Sequence, residues 1–355
     1  EKDLRIIHIA GTNGKGSVSA FLRSVFECAG LKTGMFTSPH LVDFRERIQV
    51  QGDMISKEDT MRLGNRLLSM DFGVYPTMFD YCLAMALLYF KEQKCDVVIL
   101  ETGLGGTYDS TNACGVPDVT VIAKIGFDHM AILGDTLAKI AAEKAGIIKH
   151  GTALVLESQE KEAMDVLNKA AERADIKTTK VVNLDEIRIL PQKDGKQCFS
   201  YAGYDAVTMK MLGVHQYENA VAAMLAAELF FEKYFAGKKN VPERKALQHA
   251  IREGIDRTQW MGRMELVSND PFFLMDGAHN SNGVEALKKS LETMYPDEKF
   301  HFIMGVMADK DYGEMIRELL PLALDFKTVT VESERALQGE ALADCIRAKG
   351  IPAEA

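Results

Sequence analysis

A glycine-rich segment near the start of the chain joins an apolar strand to a helix and carries side chains that could bind phosphate. The segment comprises Gly11, Thr12, Asn13, Gly14, Lys15, Gly16 and Ser17. Glycines let backbone N–H groups turn towards an anion, and the N-terminus of a helix adds partial positive charge. Together with the charge of Lys15 and the hydroxyl of Ser17, this arrangement predicts a binding site for a nucleoside triphosphate.

The segment departs from the strict phosphate-loop pattern GxxxxGK[ST] at two positions. Ile9 stands where the first glycine is expected, and Gly16 separates Lys15 from Ser17. A glycine-rich turn with a solvated lysine is therefore an alternative, although the strand–loop–helix context favours a phosphate site. The sequence contains no DxxG and no NKxD, so the switch and base-recognition motifs of GTPases are missing.

A carboxylate follows another buried strand. Glu101 comes directly after the apolar run Val97–Leu100. Because ligands of open α/β sheets bind at the carboxyl ends of the strands, Glu101 is predicted to be the acidic metal-binding residue that accompanies a phosphate loop. A helix-capping or ion-paired glutamate is the alternative. The glycines after Glu101 do not form a dinucleotide fingerprint, since Tyr108 stands where the third glycine would be.

Two further side chains, His129 and Lys144, are ambiguous on their own. His129 follows the predicted strand Val119–Ile125 at the same sheet edge, where it could bind a metal ion. Mg²⁺ prefers oxygen ligands, so a structural histidine is the alternative. Lys144 lies on the next predicted helix, where an isolated lysine is ordinarily a solvated surface residue.

The elements that must position these residues alternate along the whole chain. Strands are predicted at residues 5–10, 97–100, 119–125, 153–156, 272–275, 301–304 and 327–331, and helices at 17–29, 79–92, 136–145, 216–235, 283–294 and 313–320. Short, solidly apolar strands between helices predict an α/β fold with a mainly parallel sheet. Residues 184–212 are an exception, because they predict antiparallel strands around a turn at Asp194 and Gly195.

The chain of 355 residues is long enough for two domains. The polar stretch Gly254–Gly262 is the best boundary between them. We therefore predict a nucleotide-binding domain over residues 1–258 and a smaller α/β domain over residues 259–355. We expect the second domain to be truncated at its end, because the sequence stops without an evident terminal element.

Composition limits the partners. A net charge of −9 makes broad binding to nucleic acid or to an anionic membrane unfavourable. The six cysteines have no metal-site spacing and suggest a reducing compartment. The sequence shows neither a signal-peptide pattern nor an apolar run of membrane-spanning length. We therefore predict a cytoplasmic protein that needs no nucleic acid and no membrane.

Eight motifs occur in the order that is typical of one enzyme family. They are Gly11–Ser17, Thr37–Leu41, Phe44–Arg47, Glu101–Gly106 with Asp109–Asn112, Asp128–His129, Glu143–Lys149, His215–Gln216 with Asn219, and Asp276–Asn280. Through them the chain resembles the folylpolyglutamate synthases and the related bifunctional dihydrofolate synthases, which belong to the superfamily of ATP-dependent Mur ligases. The resemblance covers nearly the whole chain. It implies a phosphate-loop ATPase domain followed by a smaller Rossmann-like α/β domain.

The resemblance also implies a reaction. An enzyme of this family adds L-glutamate to a reduced folate, with dihydropteroate as a further candidate substrate. The γ-phosphoryl group of ATP moves to the substrate carboxylate, the amine of glutamate attacks the acyl phosphate, and phosphate leaves. Such chemistry depends on positioning and charge neutralisation. The implied cofactor is Mg²⁺, with two ions expected, and the enzyme is expected to be a monomer.

The resemblance assigns site residues by position. Contacts with ATP are implied for Gly11–Ser17, Asn219, Arg263, Asp276, His279 and Asn280, and contacts with the metal ions for Ser17, Ser38, Glu101, His129 and Lys144. Contacts with the substrate are implied for Thr77, Met78, Phe79, Asp80, Tyr108, Asp109 and Ser110. Lys15, His129 and Lys144 are the implied catalytic residues. Lys144 matches a lysine that the family carbamylates, which turns a cation into an oxygen ligand.

The chain differs from the usual family pattern at Thr107, Met261 and Ser281, where one arginine and two prolines are frequent, and at Asp80, where glutamate is usual. None of these positions lies in the phosphate loop. Two alternative functions stay open: a muramyl-type amino-acid ligase on the same scaffold, and a non-catalytic ATP-binding module. The segments 37–41 and 104–112 favour the folate branch. The joint presence of Lys15, Glu101, His129 and Lys144 favours catalysis over binding alone.

Overall fold

The computed structural model describes residues 4–239 and 241–355. It divides into two compact units. One comprises Glu1–Met211 and Gln216–Met261, and the other comprises Leu212–His215 and Gly262–Ala355. Among the described residues, no helix is long and apolar enough to cross a membrane. All six cysteines are free.

An eight-stranded sheet forms the centre of the first unit. Its strands are β1 (Ile6–Ala10), β2 (Thr33–Phe36), β3 (Ile48–Val50), β4 (Asp53–Met54), β5 (Val97–Glu101), β6 (Val119–Ile122), β7 (Ala153–Leu156) and β8 (Thr179–Val181), in the order β4-β3-β2-β5-β1-β6-β7-β8. Only the edge pairs β2–β3 and β3–β4 are antiparallel. The predicted α/β fold with a mainly parallel sheet is therefore confirmed.

Helices cover both faces of this sheet. The helices of the first unit are α1 (Lys15–Cys28), α2 (Lys57–Leu68), α3 (Met78–Glu92), α4 (Met130–Leu133), α5 (Leu137–Ala145), α6 (Lys161–Arg173), α7 (His215–Phe235) and α8 (Arg244–Arg257), of which α7 belongs to this unit from Gln216 onwards. Ile7 and Ile9 of β1 share a buried cluster with α1 and α7. Leu100 of β5 belongs to a cluster with α2 and α3, and Ile122 of β6 to one with α5 and α6. Burial on both faces explains why these strands are continuously apolar.

A separate antiparallel sheet follows in the chain, as predicted for residues 184–212. Its strands are β9 (Arg188–Lys193), β10 (Lys196–Tyr201) and β11 (Tyr204–Met209), in the order β11-β10-β9. Asp194 and Gly195 connect β9 to β10 with φ angles of 52° and 73°. Two consecutive positive φ angles are typical of the tight hairpin turn for which Asp-Gly is favoured.

The second unit contains two small sheets. The strands β12 (Glu265–Asn269) and β13 (Phe272–Met275) form an antiparallel hairpin. The strands β14 (Phe300–Met304), β15 (Ala323–Thr328) and β16 (Ala353–Glu354) form a parallel sheet, accompanied by α9 (Ser281–Met294), α10 (Tyr312–Leu319) and α11 (Gly339–Arg347). The strand predicted at residues 327–331 thus begins and ends earlier, because the burial of Phe326 and Thr328 fixes an alternating pattern that starts at Ala323.

Candidate functional site

The phosphate loop connects β1 to α1, and its glycines are required by close packing. Gly14 has a φ of 87° and directly precedes α1. A Cβ atom on Gly14 would collide with Asn219 Oδ1, and a Cβ atom on Gly11 would lie 2.8 Å from the Cβ of Ala123. The loop therefore adopts a conformation in which side chains at Gly11 and Gly14 are not tolerated.

Backbone contacts fix the loop against the end of β6. The N–H groups of Thr12 and Asn13 donate to the carbonyl oxygen of Lys124, at 2.8 and 3.1 Å. The Thr12 hydroxyl donates to the carbonyl oxygen of Gly126 and accepts from its N–H group, both at 3.0 Å. These bonds hold the loop at the carboxyl edge of the sheet, where ligands of α/β proteins bind.

Lys15 lies across the loop. Its Nζ donates to the carbonyl oxygens of Gly11 and Thr12, at 3.0 and 3.1 Å. The same Nζ is 4.0 Å from Oε1 of Glu101. The lysine thus places a positive charge directly beside the backbone that is predicted to bind phosphate.

Glu101 ends β5, the strand that pairs with β1 on the side of the sheet towards β2. The residue is 4% exposed, and its Oε2 accepts a hydrogen bond of 3.1 Å from the N–H of Ser38. The structure therefore brings Glu101, Ser38 and Lys15 together at one edge of the sheet. The strand-end argument predicts this place for Glu101, whereas only the resemblance predicts it for Ser38.

Lys144 reaches the same place from the last turn of α5. Its Nζ donates a hydrogen bond of 2.9 Å to the carbonyl oxygen of Gly11, and the residue is 4% exposed. Burial, with a further contribution from the charge of Lys15, lowers the pKa of Lys144 to about 7. A substantial fraction of the amine is consequently neutral near pH 7.

Asn219, a predicted ATP contact outside Gly11–Ser17, lies beside the loop. Asn219 on α7 packs over Gly14, and its Nδ2 donates to Oε1 of Gln216 at 2.9 Å. Gln216 in turn donates from Nε2 to the hydroxyl of Ser17 at 3.3 Å. Ser17 and Asn219 are therefore connected through one glutamine side chain.

His129 directly precedes α4 and has a φ of 49°. Its side chain is 42% exposed, and its Nε2 is 3.9 Å from Oδ1 of Asp128. Within residues 4–239 and 241–355, no group of three or more His, Cys, Asp or Glu side chains could hold a metal ion. The roles of His129 in metal binding and catalysis stay predictions.

A cavity of about 590 Å³ opens at the same edge of the first unit. It is lined by Ser38, Pro39, Arg47, Thr77, Phe79, Gly103, Leu104, Tyr108, Asp109, Ser110, Ile132, Leu133 and Glu143. Five of the seven predicted substrate residues are among them. Of the other two, Met78 is 69% exposed.

The remaining predicted substrate residue, Asp80, holds the wall of the cavity together. Its Oδ1 accepts from the hydroxyl of Ser110 at 2.5 Å, and its Oδ2 accepts from the N–H and the hydroxyl of Thr77, both at 2.7 Å. These bonds lower the pKa of Asp80, with the Ser110 bond contributing most. The side chain of Asp80 thus connects the start of α3 to the loop after β5.

The cavity contains residues that were not predicted as site residues. Arg47 lines it and donates from Nε to Nδ1 of His40 at 2.9 Å. Leu104, Ile132, Leu133 and Glu143 complete the wall. Arg47 and Glu143 belong to motifs visible in the sequence, but Ile132 and Leu133 carry no signal because only the position of α4 brings them to the cavity.

The second unit carries the other predicted ATP residues. Asp276 accepts from the N–H groups of Met264 and Ala278, both at 2.8 Å. Arg263 Nη1 donates to the carbonyl oxygen of Gly262 at 3.2 Å, and His279 Nδ1 lies 2.9 Å from the carbonyl oxygen of Gly277.

Asn280 is the N-cap of α9, with Oδ1 accepting from the N–H of Gly283 at 2.8 Å. Arg263, Asp276, His279 and Asn280 therefore all lie around the segment from β13 to α9. Their contacts with ATP stay predictions.

Two family models match the chain. The Mur ligase middle domain matches residues 9–227, and the Mur ligase, glutamate ligase domain matches residues 262–355. The fold and the phosphate loop therefore define the class of protein as a Mur ligase.

Known relatives define the group within that class. The chain is 38% identical to the dihydrofolate synthase/folylpolyglutamate synthase of Bacillus subtilis (strain 168), over 97% of the chain and 80% of the relative. It is 31% identical to the folylpolyglutamate synthase of Lacticaseibacillus casei, over 89% and 74% respectively. An Arabidopsis thaliana folylpolyglutamate synthase is 36% identical over 81% of the chain, but this match spans only 50% of that relative. The chain belongs to the dihydrofolate synthase/folylpolyglutamate synthase family of Mur ligases.

Solved structures agree with this assignment. The Mycobacterium tuberculosis folylpolyglutamate synthase complexed with ADP superposes with a TM-score of 0.86 at 30% identity, covering 99% of this chain and 80% of that one. The E. coli FolC in complex with DHPP and ADP gives a TM-score of 0.84 at 27% identity, covering 99% and 79%.

Proposed function

We propose that the chain is an ATP-dependent ligase that adds L-glutamate to a reduced folate, with release of ADP and phosphate. One observation carries this proposal: Lys15, Glu101 and Lys144 converge on the phosphate loop at the edge of the parallel sheet. The dual name of the B. subtilis relative supports dihydropteroate as a second acceptor of glutamate.

The phosphate loop and Lys15 neutralise the triphosphate in this proposal. As the γ-phosphoryl group moves to the substrate carboxylate, negative charge develops on the bridging oxygen of ADP and on the transferred group. A lysine held on two loop carbonyls, at 3.0 and 3.1 Å, needs little reorganisation to meet that charge. The amine of glutamate then attacks the acyl carbon, the C–N bond forms, and the C–O bond to phosphate breaks.

The oxygen donors near the loop fit Mg²⁺ that enters with ATP. Glu101 supplies a buried carboxylate, whose Oε2 accepts from the backbone N–H of Ser38. The hydroxyl oxygens of Ser17 and Ser38 are proposed as further donors. Mg²⁺ is usually bound through one or two carboxylates with phosphates and water, so a single carboxylate is sufficient. When bound, the ion would neutralise part of the negative charge of the triphosphate. We propose His129 and a carbamate on Lys144 as further ligands.

The cavity beside the loop is the proposed place for the folate. Phe79, Leu104 and Tyr108 provide apolar and aromatic walls for a flat ring system, and Arg47 provides a cation. Contacts with ATP are proposed for Asn219, and likewise for Arg263, Asp276, His279 and Asn280. We also propose that the protein is a monomer and that it is located in the cytoplasm.

The test is release of ADP by purified protein with ATP, Mg²⁺ and either a reduced folate or dihydropteroate, each with and without L-glutamate. We expect ADP release to depend on both glutamate and the pterin substrate, and mass spectrometry of the product to show one added glutamyl residue. ADP release that is the same with and without the pterin substrate would overturn the proposal. A product with reduced folate but none with dihydropteroate would restrict the activity to folylpolyglutamate synthesis.

A further inference from the structure

His8 is a buried histidine on β1, the strand that leads into the phosphate loop. The residue is 2% exposed, and its Nε2 lies 2.7 Å from the hydroxyl oxygen of Thr111. Burial, with a smaller contribution from the charge of Lys149, lowers the pKa of His8 to about 3. The imidazole is therefore neutral under ordinary conditions. Neither ATP nor metal binding accounts for this residue.

The direction of the hydrogen bonds follows from the partners of Thr111. Its hydroxyl donates to Oδ1 of Asp109 at 2.5 Å. A hydroxyl has one proton, so the Thr111 oxygen must accept from His8, and the proton of the imidazole lies on Nε2. The result is a directed chain in which His8 donates to Thr111 and Thr111 donates to Asp109.

Asp109 fixes one wall of the substrate cavity. Its Oδ2 accepts from the N–H groups of Gly103 and Leu104, both at 2.8 Å, and its Oδ1 also accepts from the N–H of Thr111 at 3.0 Å. Gly103, Leu104 and Asp109 all line the cavity. The shape of this wall therefore depends on how the Asp109 carboxylate is held.

The backbone of His8 is fixed on both sides. It pairs with Leu100 of β5 and with Thr120 of β6, so β1 is a central strand at this position. A neutral donor on a rigid strand can orient a hydroxyl without adding a charge to the core. The loop from Gly103 to Thr111, in contrast, has no partner strand.

We infer that His8 is a positioning residue for the substrate cavity: through Thr111 it holds the carboxylate of Asp109 and ties the cavity wall to the strand that carries the phosphate loop. The inference deepens the proposed function and rests on it, because the ligand of the cavity is taken to be the folate. It predicts that loss of His8 weakens folate recognition and leaves ATP recognition nearly intact.

The experiment measures KM for folate and for ATP in wild type, His8→Leu and His8→Gln. The amide nitrogen of glutamine can replace Nε2 as a donor, whereas leucine cannot. We expect about a tenfold rise in the folate KM of His8→Leu, since one buried hydrogen bond is lost. We expect an ATP KM within about twofold of wild type, and a His8→Gln enzyme near wild type.

Thr111→Val removes the same hydrogen bond from the side of the loop, and it tests the inference if His8→Leu does not fold. Its folate KM should rise similarly, and the double variant His8→Leu/Thr111→Val should show no additive loss. Thr120→Val is the matched control, because it removes a buried hydroxyl from β6 whose hydrogen-bond partners are Thr152 and the carbonyl of Ile147, outside the cavity wall.

The outcomes separate the inference from the proposed function. A wild-type protein that neither binds folate nor uses it refutes the proposed function. An active wild type with an unchanged folate KM in folded His8→Leu and Thr111→Val overturns the role of His8. An equal change in the KM for ATP, or the same change in Thr120→Val, also overturns it, because the effect would then be general loosening of the sheet.

Discussion

Lys144 and Gly11 lie 133 positions apart, and the side chain of one donates a hydrogen bond of 2.9 Å to the backbone carbonyl of the other. A buried ammonium beside Lys15 is electrostatically unfavourable unless an anion arrives or the amine loses its proton. The lowered pKa of about 7 is the consequence. This amine is therefore suited to react with CO₂, which requires the neutral form and yields a carbamate and a proton.

The first prediction concerns the pH and CO₂ dependence of activity. Because the amine of Lys144 becomes protonated as the pH falls below about 7, we expect carbamate formation, and with it the rate, to fall on the acid side. Enzyme stripped of CO₂ should lose activity and regain it on addition of bicarbonate. Steady-state rates between pH 6 and pH 8.5, with and without bicarbonate, test this; rates independent of bicarbonate at every pH contradict it.

Lys144→Ala should lose most activity, with partial recovery in acetate or formate, which can fill the vacated place of the carbamate. Lys139→Ala is the matched control, because Lys139 lies on the same helix but is exposed and paired with Asp135. A fully active Lys144→Ala enzyme would return Lys144 to a structural role.

Lys15→Ala should reduce the rate by more than tenfold, because a lysine–phosphate contact in a site shielded from water contributes on the order of 2 kcal/mol or more. Lys161→Ala, at an exposed position of α6, serves as the control. The measurement is the rate of ADP release at saturating folate and glutamate. Near wild-type turnover in Lys15→Ala would refute the assignment of the loop to phosphate.

Glu101→Gln should fold normally but need more Mg²⁺ for half-maximal rate, because the change keeps the shape of the side chain and removes its charge. The acceptor for the N–H of Ser38 is retained in the amide oxygen, so the local backbone has no reason to move. The test is the rate measured as a function of Mg²⁺ concentration, with the exposed Glu172→Gln as control. An unchanged Mg²⁺ concentration for half-maximal rate would mean that Glu101 is structural.

The strands that bracket the site could be predicted because their burial is nearly complete on both faces. Val97–Glu101 is one example, since all five residues are buried and the first four form a continuous apolar run. β2 is not predicted from its sequence, because Thr33–Phe36 contains a glycine and no apolar run. Gly34 is explained only by packing: a Cβ there would lie 2.7 Å from the ring of Phe90.

In the candidate site, too, some residues can be identified from the local sequence and others only from the structure. Glu101 is recognised by its place at a strand end, which is local information. The importance of Lys144 is not local, since its sequence neighbourhood is that of a surface helix and only the packing of α5 buries it against Gly11. The role of His8 is equally hidden, because its partner Thr111 is 103 positions away.

The last prediction concerns Glu157, which lies just after β7 and is 1% exposed. Burial, together with the nearby carboxylate of Glu218, raises the pKa of Glu157 well above its ordinary value, and its Oε1 has no hydrogen-bond partner in the described structure. Lys124, whose charge acts in the opposite direction, only partly offsets these effects. The folded protein therefore holds a proton on Glu157 that the unfolded chain releases more easily.

The sign of the pH dependence follows from that difference. Between the ordinary pKa of Glu157 and its raised value, the folded state binds more protons than the unfolded state, so the free energy of unfolding falls as the pH rises. Glu157→Gln removes this titration and should raise the free energy of unfolding more at pH 8 than at pH 5. Urea unfolding at both pH values measures this, with the exposed Glu160→Gln as control. Equal effects of Glu157→Gln at pH 5 and pH 8 would show that the carboxyl is not protonated in the fold.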